Sequence, residues 1–229
     1  MKKPRNLSNL KIFDLLTQAD LEQIEQMAIM TNTWPKNSLI QTPESKSDGL
    51  FFVLEGMIRL SKSNTAGKQY TVGILGPGSI YGEISSLSFG TNGNYMETIE
   101  ETHICTIHKA QFEQFLNTHP EFSWKLLEEL SNRLLDRDEV LEKLALSDLR
   151  GKVLFFLTKL SKKFGVEENG YQKIDLPLTH QELANMIGAT RESVSLVLQE
   201  LSNDGVIITG RKKIIVKEDM ARELMETYQ

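Results

Sequence analysis

Arg191 and Glu192 stand side by side in the run Thr190-Arg-Glu-Ser-Val-Ser195, followed by Leu196. A guanidinium is a planar fork of donors that matches a guanine edge, and a carboxylate accepts from the amino group of cytosine. Thr190, Ser193 and Ser195 add hydroxyls, and Leu196 offers an apolar surface such as a thymine methyl would meet. This is the chemistry of recognition rather than of bond breaking. Motifs for catalysis are missing from the sequence. Gly73-Ile-Leu-Gly-Pro-Gly-Ser79 lacks the Gly-Lys-Ser/Thr ending of a phosphate loop, and neither a Gly-x-Ser-x-Gly elbow nor a paired-histidine helix occurs. His103, His108, His119 and His180 have no metal-ligand spacing, so no metal site is expected, although haem ligation by one of them stays open. A single cysteine, Cys105, excludes an internal disulfide and reads as a small apolar residue in a strand.

The recognition residues work only if a helix presents them. Thr179 with Glu182 three residues later is a capping box that starts a helix, with Leu183, Met186 and Ile187 on its buried face. Gly188 supplies a left-handed stop. Thr190 caps a second helix, whose buried face is Val194, Val197, Leu198 and Leu201. Helix, tight turn and helix make a helix-turn-helix, in which the N-terminal end of the second helix meets base edges. Val206-Ile-Ile208 and Ile214-Ile-Val216, joined by a Gly210-Arg-Lys-Lys213 turn, predict a β-hairpin wing with a basic tip. Thr179 and Gln181 at the start of the first helix, and Lys212 and Lys213 on the hairpin, complete the expected DNA-binding set.

Charge follows the same division. The chain of 229 residues carries a net charge of −5, but residues 150–217 hold 11 Lys/Arg against 7 Asp/Glu. Residues 1–149 hold 14 Lys/Arg against 20 Asp/Glu. A positive segment on an acidic chain is the electrostatic footprint of a DNA-binding module. The basic start, Met-Lys-Lys-Pro-Arg5, precedes no apolar stretch, and Val153 to Leu157 is the longest clearly apolar run. A cytoplasmic protein without a membrane span is expected.

Upstream, residues 9–30 begin helically. From Trp34 to His108 the pattern is one of short apolar runs broken by turns, such as Asn64-Thr-Ala-Gly67, Gly76-Pro-Gly78 and Gly90-Thr-Asn-Gly93. That argues for a closed all-β unit. Residues 121–146 contain no Gly or Pro after Pro120 and change to a heptad period. Leu127, Leu134 and Leu141 take one core position, and Leu130, Arg137 and Leu144 the other, which reads as a dimer seam with one charged core residue or as one amphipathic helix packed on its own domain. Residues 147–149 form a joint, Gly151 to about Phe164 a further helix, and Gly165–Gly170 a polar loop.

With these motifs in order, the chain resembles the cyclic-AMP receptor / fumarate-nitrate regulator (CRP/FNR) superfamily over nearly its whole length. The residues carrying the likeness are Phe51-Phe-Val-Leu-Glu-Gly56, Gly76-Pro-Gly78 followed by Tyr81-Gly-Glu-Ile84, and Thr190-Arg-Glu-Ser-Val-Ser195. The resemblance implies an α+β architecture. An effector-sensing, cyclic-nucleotide-binding-type β-roll (jelly-roll barrel) would occupy residues 1–118, a dimerisation helix 119–146, and a winged helix-turn-helix 147–229. It further implies a homodimeric transcription regulator on palindromic double-stranded DNA, with RNA polymerase as partner if it activates.

The departures from the family pattern concern the effector. In cyclic-AMP-binding members, the Gly-Glu pair, here Gly82 and Glu83, works with a following Arg-Ser or Arg-Thr that holds the cyclic phosphate. Gly90-Thr-Asn-Gly-Asn-Tyr95 contains no Arg or Lys. The family's hydroxyl pair on the dimer helix falls on Arg137 and Asp138. Cyclic AMP is thus a poor fit, and one cysteine cannot hold the iron–sulfur cluster of the oxygen-sensing branch. Gly82, Glu83, Arg137 and Asp138 stand as the effector set, with a small anion on Arg137 or a structural ion pair to Asp138 as alternative roles. Where familiar members carry a guanine-reading Arg, this chain has Leu196, so its half-site should differ from theirs. A ligand-free regulator, and a sensor or enzyme without DNA binding, are the competing readings.

Overall fold

The computed structural model describes residues 7, 10–14, 16–27, 30–45, 49–84, 87–210 and 213–226. They fall into two compact units, Met1–Leu134 and Leu135–Gln229.

The first unit is built on short strands: β1 (Met30–Trp34), β2 (Leu39–Gln41), β3 (Gly49–Glu55), β4 (Ile58–Ser63), β5 (Gln69–Leu75), β6 (Ile80–Ile84), β7 (Leu87–Ser88), β8 (Tyr95–Thr98) and β9 (Thr102–His108). They pair antiparallel in two sheets, ordered β1-β9-β3-β6-β7 and β2-β8-β4-β5. The expected closed unit is thus a roll of two open sheets. Strands as short as β7 and β2 offer too few backbone groups to carry a ladder round a corner, so side chains close the roll instead.

Burial on both faces explains the uninterrupted apolar run of β3. Val53 points inward and packs with Ile58 and Leu60 of β4, Leu75 of β5, Tyr81 of β6, Met96 of β8 and Ile104 of β9. Leu50 and Phe52 point the other way, with Ile80 and Ile84 of β6 and Cys105 and Ile107 of β9. That outer layer is covered by a 3-10 turn (Lys11–Phe13), α1 (Gln18–Met27), α2 (Lys109–Thr118) and the first turns of α3 (Pro120–Leu146). Phe13 stacks on Phe122 at 5.5 Å, and Phe115 meets the same ring edge-on at 5.6 Å. The helical start expected over residues 9–30 is this turn and α1, and the chain enters β1 at Met30.

The second unit contains α4 (Leu149–Phe164), β10 (Gly165–Glu168), β11 (Tyr171–Ile174), α5 (His180–Ile187), α6 (Arg191–Asn203), β12 (Ile207–Gly210), β13 (Lys213–Val216) and α7 (Glu218–Glu226). The polar loop expected over 165–170 is in fact a hairpin. Asn169 and Gly170 both have positive φ, 54° and 79°, which is the two-residue turn that Asn-Gly favours between antiparallel strands. The expected wing therefore belongs to a larger sheet, ordered β10-β11-β13-β12. The side chain of Asp148 starts α4 by accepting from the Gly151 N–H at 2.7 Å. Ala221 of α7 is fully buried, and α7 packs on α4. Among the described residues no helix is long and apolar enough to cross a membrane.

Candidate nucleic-acid interface and effector region

Sequence-local chemistry builds the helix-turn-helix. Thr179 Oγ1 accepts from the Glu182 N–H at 3.1 Å, and the Glu182 carboxylate accepts from the Thr179 N–H at 2.7 Å, closing the expected capping box. Gly188 ends α5 at φ +71°, a conformation that would strain a residue carrying Cβ. Thr190 caps α6 by accepting from the Ser193 N–H at 3.2 Å, and the two hydroxyls lie 2.8 Å apart. Leu183, Met186 and Ile187 of α5 and Val194, Val197, Leu198 and Leu201 of α6 are buried. Arg191, Glu192 and Leu196 face solvent, Leu196 being 62% exposed. Gln181 is exposed and donates to Asn185 Oδ1 at 2.9 Å. Arg150 fixes the end of α6 to α4 through Asp204 and, at 3.7 Å, Glu200.

Ser195 and Lys213, two further expected DNA contacts, are also engaged within the chain. Ser195 is half-buried, and its hydroxyl bonds the Arg191 carbonyl at 2.8 Å and His180 Nδ1 at 2.7 Å. Lys213 pairs with Glu168 of β10, with Lys173 within 3.9 Å of the same carboxylate. The hydrogen bond from Lys213 holds the Glu168 carboxyl below the usual carboxylate range. Lys212 lies outside the described residues.

Helix α3 keeps the bounds read from its sequence, and its apolar residues divide into two faces. Leu127, Leu134 and Leu141 are 50%, 62% and 63% exposed in the single chain. Leu130, placed in the same seam by the heptad, is partly buried on the chain's own core, and Leu144 is half-buried. Leu130 lies one turn from Leu126 and two from Phe122, and so faces the core those residues fill.

The effector set is split between the two units. Gly82 and Glu83 lie on β6 in the first. Gly82 has φ +105°, and a Cβ there would sit 2.3 Å from the Gly49 carbonyl oxygen, so only glycine lets β6 approach β3 this closely. Its N–H donates to Thr91 Oγ1 at 3.3 Å, and the Glu83 carboxylate accepts from the Ser88 hydroxyl at 3.4 Å. Arg137 and Asp138 are exposed on the distal half of α3, in the second unit. Within the roll, two buried polar atoms, the Tyr81 hydroxyl and Asn94 Oδ1, have no hydrogen-bond partner among the described residues. Burial pushes the Tyr81 hydroxyl pKa upward, so it stays protonated.

A residue outside the expected set has the most elaborate contacts on α3. Arg133 donates to the carbonyls of Ile80 at 2.7 Å and Phe89 at 2.9 Å, pairs with Glu129 at 2.7 Å, and lies over the Phe89 ring. Its sequence signal is position: an arginine continuing the stripe Phe122, Leu126, Leu130 that packs on the roll.

His103 and His119 are held by protein groups. His103 bonds Thr33 at 2.8 Å and lies between Glu55 and Glu101; His119 bonds Asp20 at 3.0 Å and stacks on Phe115. Asp20, held by hydrogen bonds from Thr17 and His119, has its pKa lowered. Cys105 is buried in β9, and burial, helped by Glu25, pushes its thiol up to about 11.

Known proteins bear the same two modules. Residues 31–119 match the cyclic nucleotide-binding domain, and residues 151–222 the Crp-like helix-turn-helix domain. The global nitrogen regulator of Synechocystis sp. is 31% identical over 199 residues, 86% of this chain and 88% of that protein. Its counterpart in Nostoc sp. is 32% identical over 189 residues, 82% and 85% of the two chains. The crystal structure of a CRP/FNR-family transcriptional regulator from Thermus thermophilus aligns at a TM-score of 0.68 and 26% identity, covering 87% of this chain and 100% of that one. By its two modules and by its identity to these regulators, the chain belongs to the CRP/FNR family of transcription regulators.

Proposed function

We propose that this regulator reads a palindromic duplex as a homodimer, with α6 of each protomer in a major groove. Arg191 and Glu192 then specify base pairs, Leu196 meets a methyl group, and Thr190, Ser193 and Ser195 line the approach. Thr179, Gln181, Lys212 and Lys213 hold phosphates. The observation that carries this reading is the polarity of α6: four apolar side chains buried behind it, and Arg191, Glu192 and Leu196 standing free of the core in front. Residues 1–118 serve as the sensing roll, 119–146 as the dimer helix and 147–229 as the DNA-binding domain, acting on chromosomal DNA in the cytoplasm. Where the regulator activates, its further partner is RNA polymerase.

The signal enters at the roll and dimer helix. Support for a roll ligand comes from the orphaned Tyr81 hydroxyl and Asn94 Oδ1, since buried polar atoms without partners are costly. The cation-free segment 90–95 argues against a cyclic phosphate there. Arg137, with Asp138, is the candidate for an anionic metabolite on α3. A ligand-free regulator is the second reading, favoured by the apolar packing around Tyr81, which stacks on Phe51 at 4.8 Å.

Operator selection from random duplexes, followed by gel shifts over a salt series, tests the DNA reading. Arg191→Ala should cost about 1–3 kcal/mol at one base pair and leave other positions unchanged. Equal losses on operator and random DNA would remove Arg191 from base reading. Repeating the shifts with a small-molecule extract tests the anion site. A response that persists in Arg137→Leu would place the effector elsewhere.

A further inference from the structure

We infer that His180 is a proton-linked DNA contact, seated by Ser195 of the recognition helix. The inference rests on α6 being that helix.

Hydrogen bookkeeping at Ser195 supports it. Its Oγ lies 2.8 Å from the Arg191 carbonyl and 2.7 Å from His180 Nδ1. A carbonyl oxygen can only accept, so the one hydroxyl hydrogen goes to Arg191. The remaining lone pair of Oγ then accepts from Nδ1, which must carry a hydrogen. The opposite arrangement, with the hydroxyl donating to a bare Nδ1, would press two oxygen lone pairs together at 2.8 Å.

With Nδ1–H committed to Ser195, the state of Nε2 depends on charge. A neutral ring leaves Nε2 bare, an acceptor that a phosphate oxygen repels. A second proton makes Nε2 a donor and the ring a cation. His180 is the first residue of α5 after its cap, and it is exposed. Ser195 holds the ring against the first turns of α6, beside the exposed Arg191 and Glu192. A duplex docked on that surface brings its phosphates to Nε2, and their charge draws the second proton onto the ring.

Among the described residues, these charged groups lie on the helices next to the ring. On α5, Glu182 has its carboxylate committed to the Thr179 N–H. On α6, Arg191 and Glu192 lie within one turn of Ser195. Helix α4, which packs on both, buries Val153, Leu154, Leu157 and Leu160. A docked phosphate would add negative charge at Nε2 beyond that of Glu192, since Glu182 is committed to the Thr179 N–H.

The test is DNA affinity by fluorescence anisotropy between pH 6 and 8.5, on operator and random duplexes, for the full-length wild type, His180→Gln, His180→Arg and Ser195→Ala. Wild-type binding should tighten toward pH 6 by about tenfold, as one ring per protomer takes up a proton. Its salt slope should steepen by about 1.8, for two phosphates per dimer. His180→Gln should lose that part of the pH dependence. His180→Arg should bind at pH 8 as wild type does at pH 6. Ser195→Ala should weaken the pH linkage by unseating the ring, and unchanged thermal melts would show that the variants fold. A wild-type profile retained in His180→Gln overturns the inference. Should Arg191→Ala leave operator preference intact in the same assay, the reading of α6 fails instead, and the two failures are separable.

Discussion

Lys213 on β13 and Glu168 on β10 form an ion pair across the four-stranded sheet, so the charge of the lysine proposed to hold phosphate is already partly answered within the chain. Phosphate has to compete with a carboxylate whose pKa the same lysine lowers. Glu168→Gln should therefore raise affinity for every duplex by about threefold per half-site and steepen the salt slope by about 0.9. Lys213→Ala should do the reverse, weakening operator and random DNA alike. A salt series on both sequences checks the pair, and an unchanged slope in Glu168→Gln would mean that Lys213 does not reach the backbone.

The exposed leucines of α3 bear on assembly. A double Leu134→Asp, Leu141→Asp change places four carboxylates in one symmetric seam. Sedimentation at micromolar concentration should then show monomer where the unaltered chain shows dimer. Persistent dimer would move the interface off these residues. Leu130→Ala, on the core side of the helix, should instead lower the melting temperature, by about 2–3 kcal/mol in stability.

Arg133 joins α3 to the roll through two backbone carbonyls, and Arg133→Leu should destabilise the first unit by about 2–4 kcal/mol. Arg133→Lys, which keeps the charge but loses the fork, should recover only part of that. Denaturant unfolding followed by Trp34 and Trp124 fluorescence reads the effect. Equal stability of wild type and Arg133→Leu would make the contact incidental.

Within the second unit, Lys159 of α4 donates to Asp136 at 3.1 Å and Glu139 at 2.6 Å on the distal half of α3. Burial works against its charge, yet the hydrogen bonds to Glu139 and Asp136 outweigh it and raise the ammonium pKa. A folded-state pKa above the unfolded one gives stability that is complete at neutral pH and lost as pH rises through the raised value. Lys159→Met should cost about 0.5–1 kcal/mol at pH 7, because the site is partly exposed. The gap from wild type should shrink in melts at strongly alkaline pH. A gap that stays constant there would assign the contribution to packing rather than charge.

What the sequence reveals depends on how local the chemistry is. Thr179, Glu182, Gly188 and Thr190 signal within four residues of their partners, so the helix-turn-helix is legible down to its caps. Pro120 and the heptad leucines likewise set the bounds of α3. The hairpin at Asn169-Gly170 hides because Glu167 and Glu168 break the alternation a strand should show, although the Asn-Gly pair itself is a turn signal. Long-range relations are harder to read. His180 and Ser195 lie 15 residues apart on different helices, and Arg133 reaches carbonyls 44 and 53 residues away. The spacing marks the face of α3 that Arg133 shares, but not the carbonyls it reaches, and nothing in the sequence pairs His180 with Ser195. The two faces of β3 are the intermediate case: its run of apolar residues announces burial, but only the covering helices explain why both sides need it.

Chain order gives β9 a particular weight. It lies between β1 and β3 in its sheet and pairs with both, Met30 with Thr106 and Gly49 with His108, yet it is the last strand of the roll to be made. Until His108 has left the ribosome, β3 stands with one edge unpaired and apolar side chains on both faces. Such an edge is a template for other chains. The hairpins of the second unit close over a few residues, whereas the roll must wait for a contact spanning more than 70. Nascent chains stalled before β9 are therefore the species on which chaperones and proteases would act. Loop lengthening between β1 and β9 should slow the maturation of this protein more than any change in its winged helix.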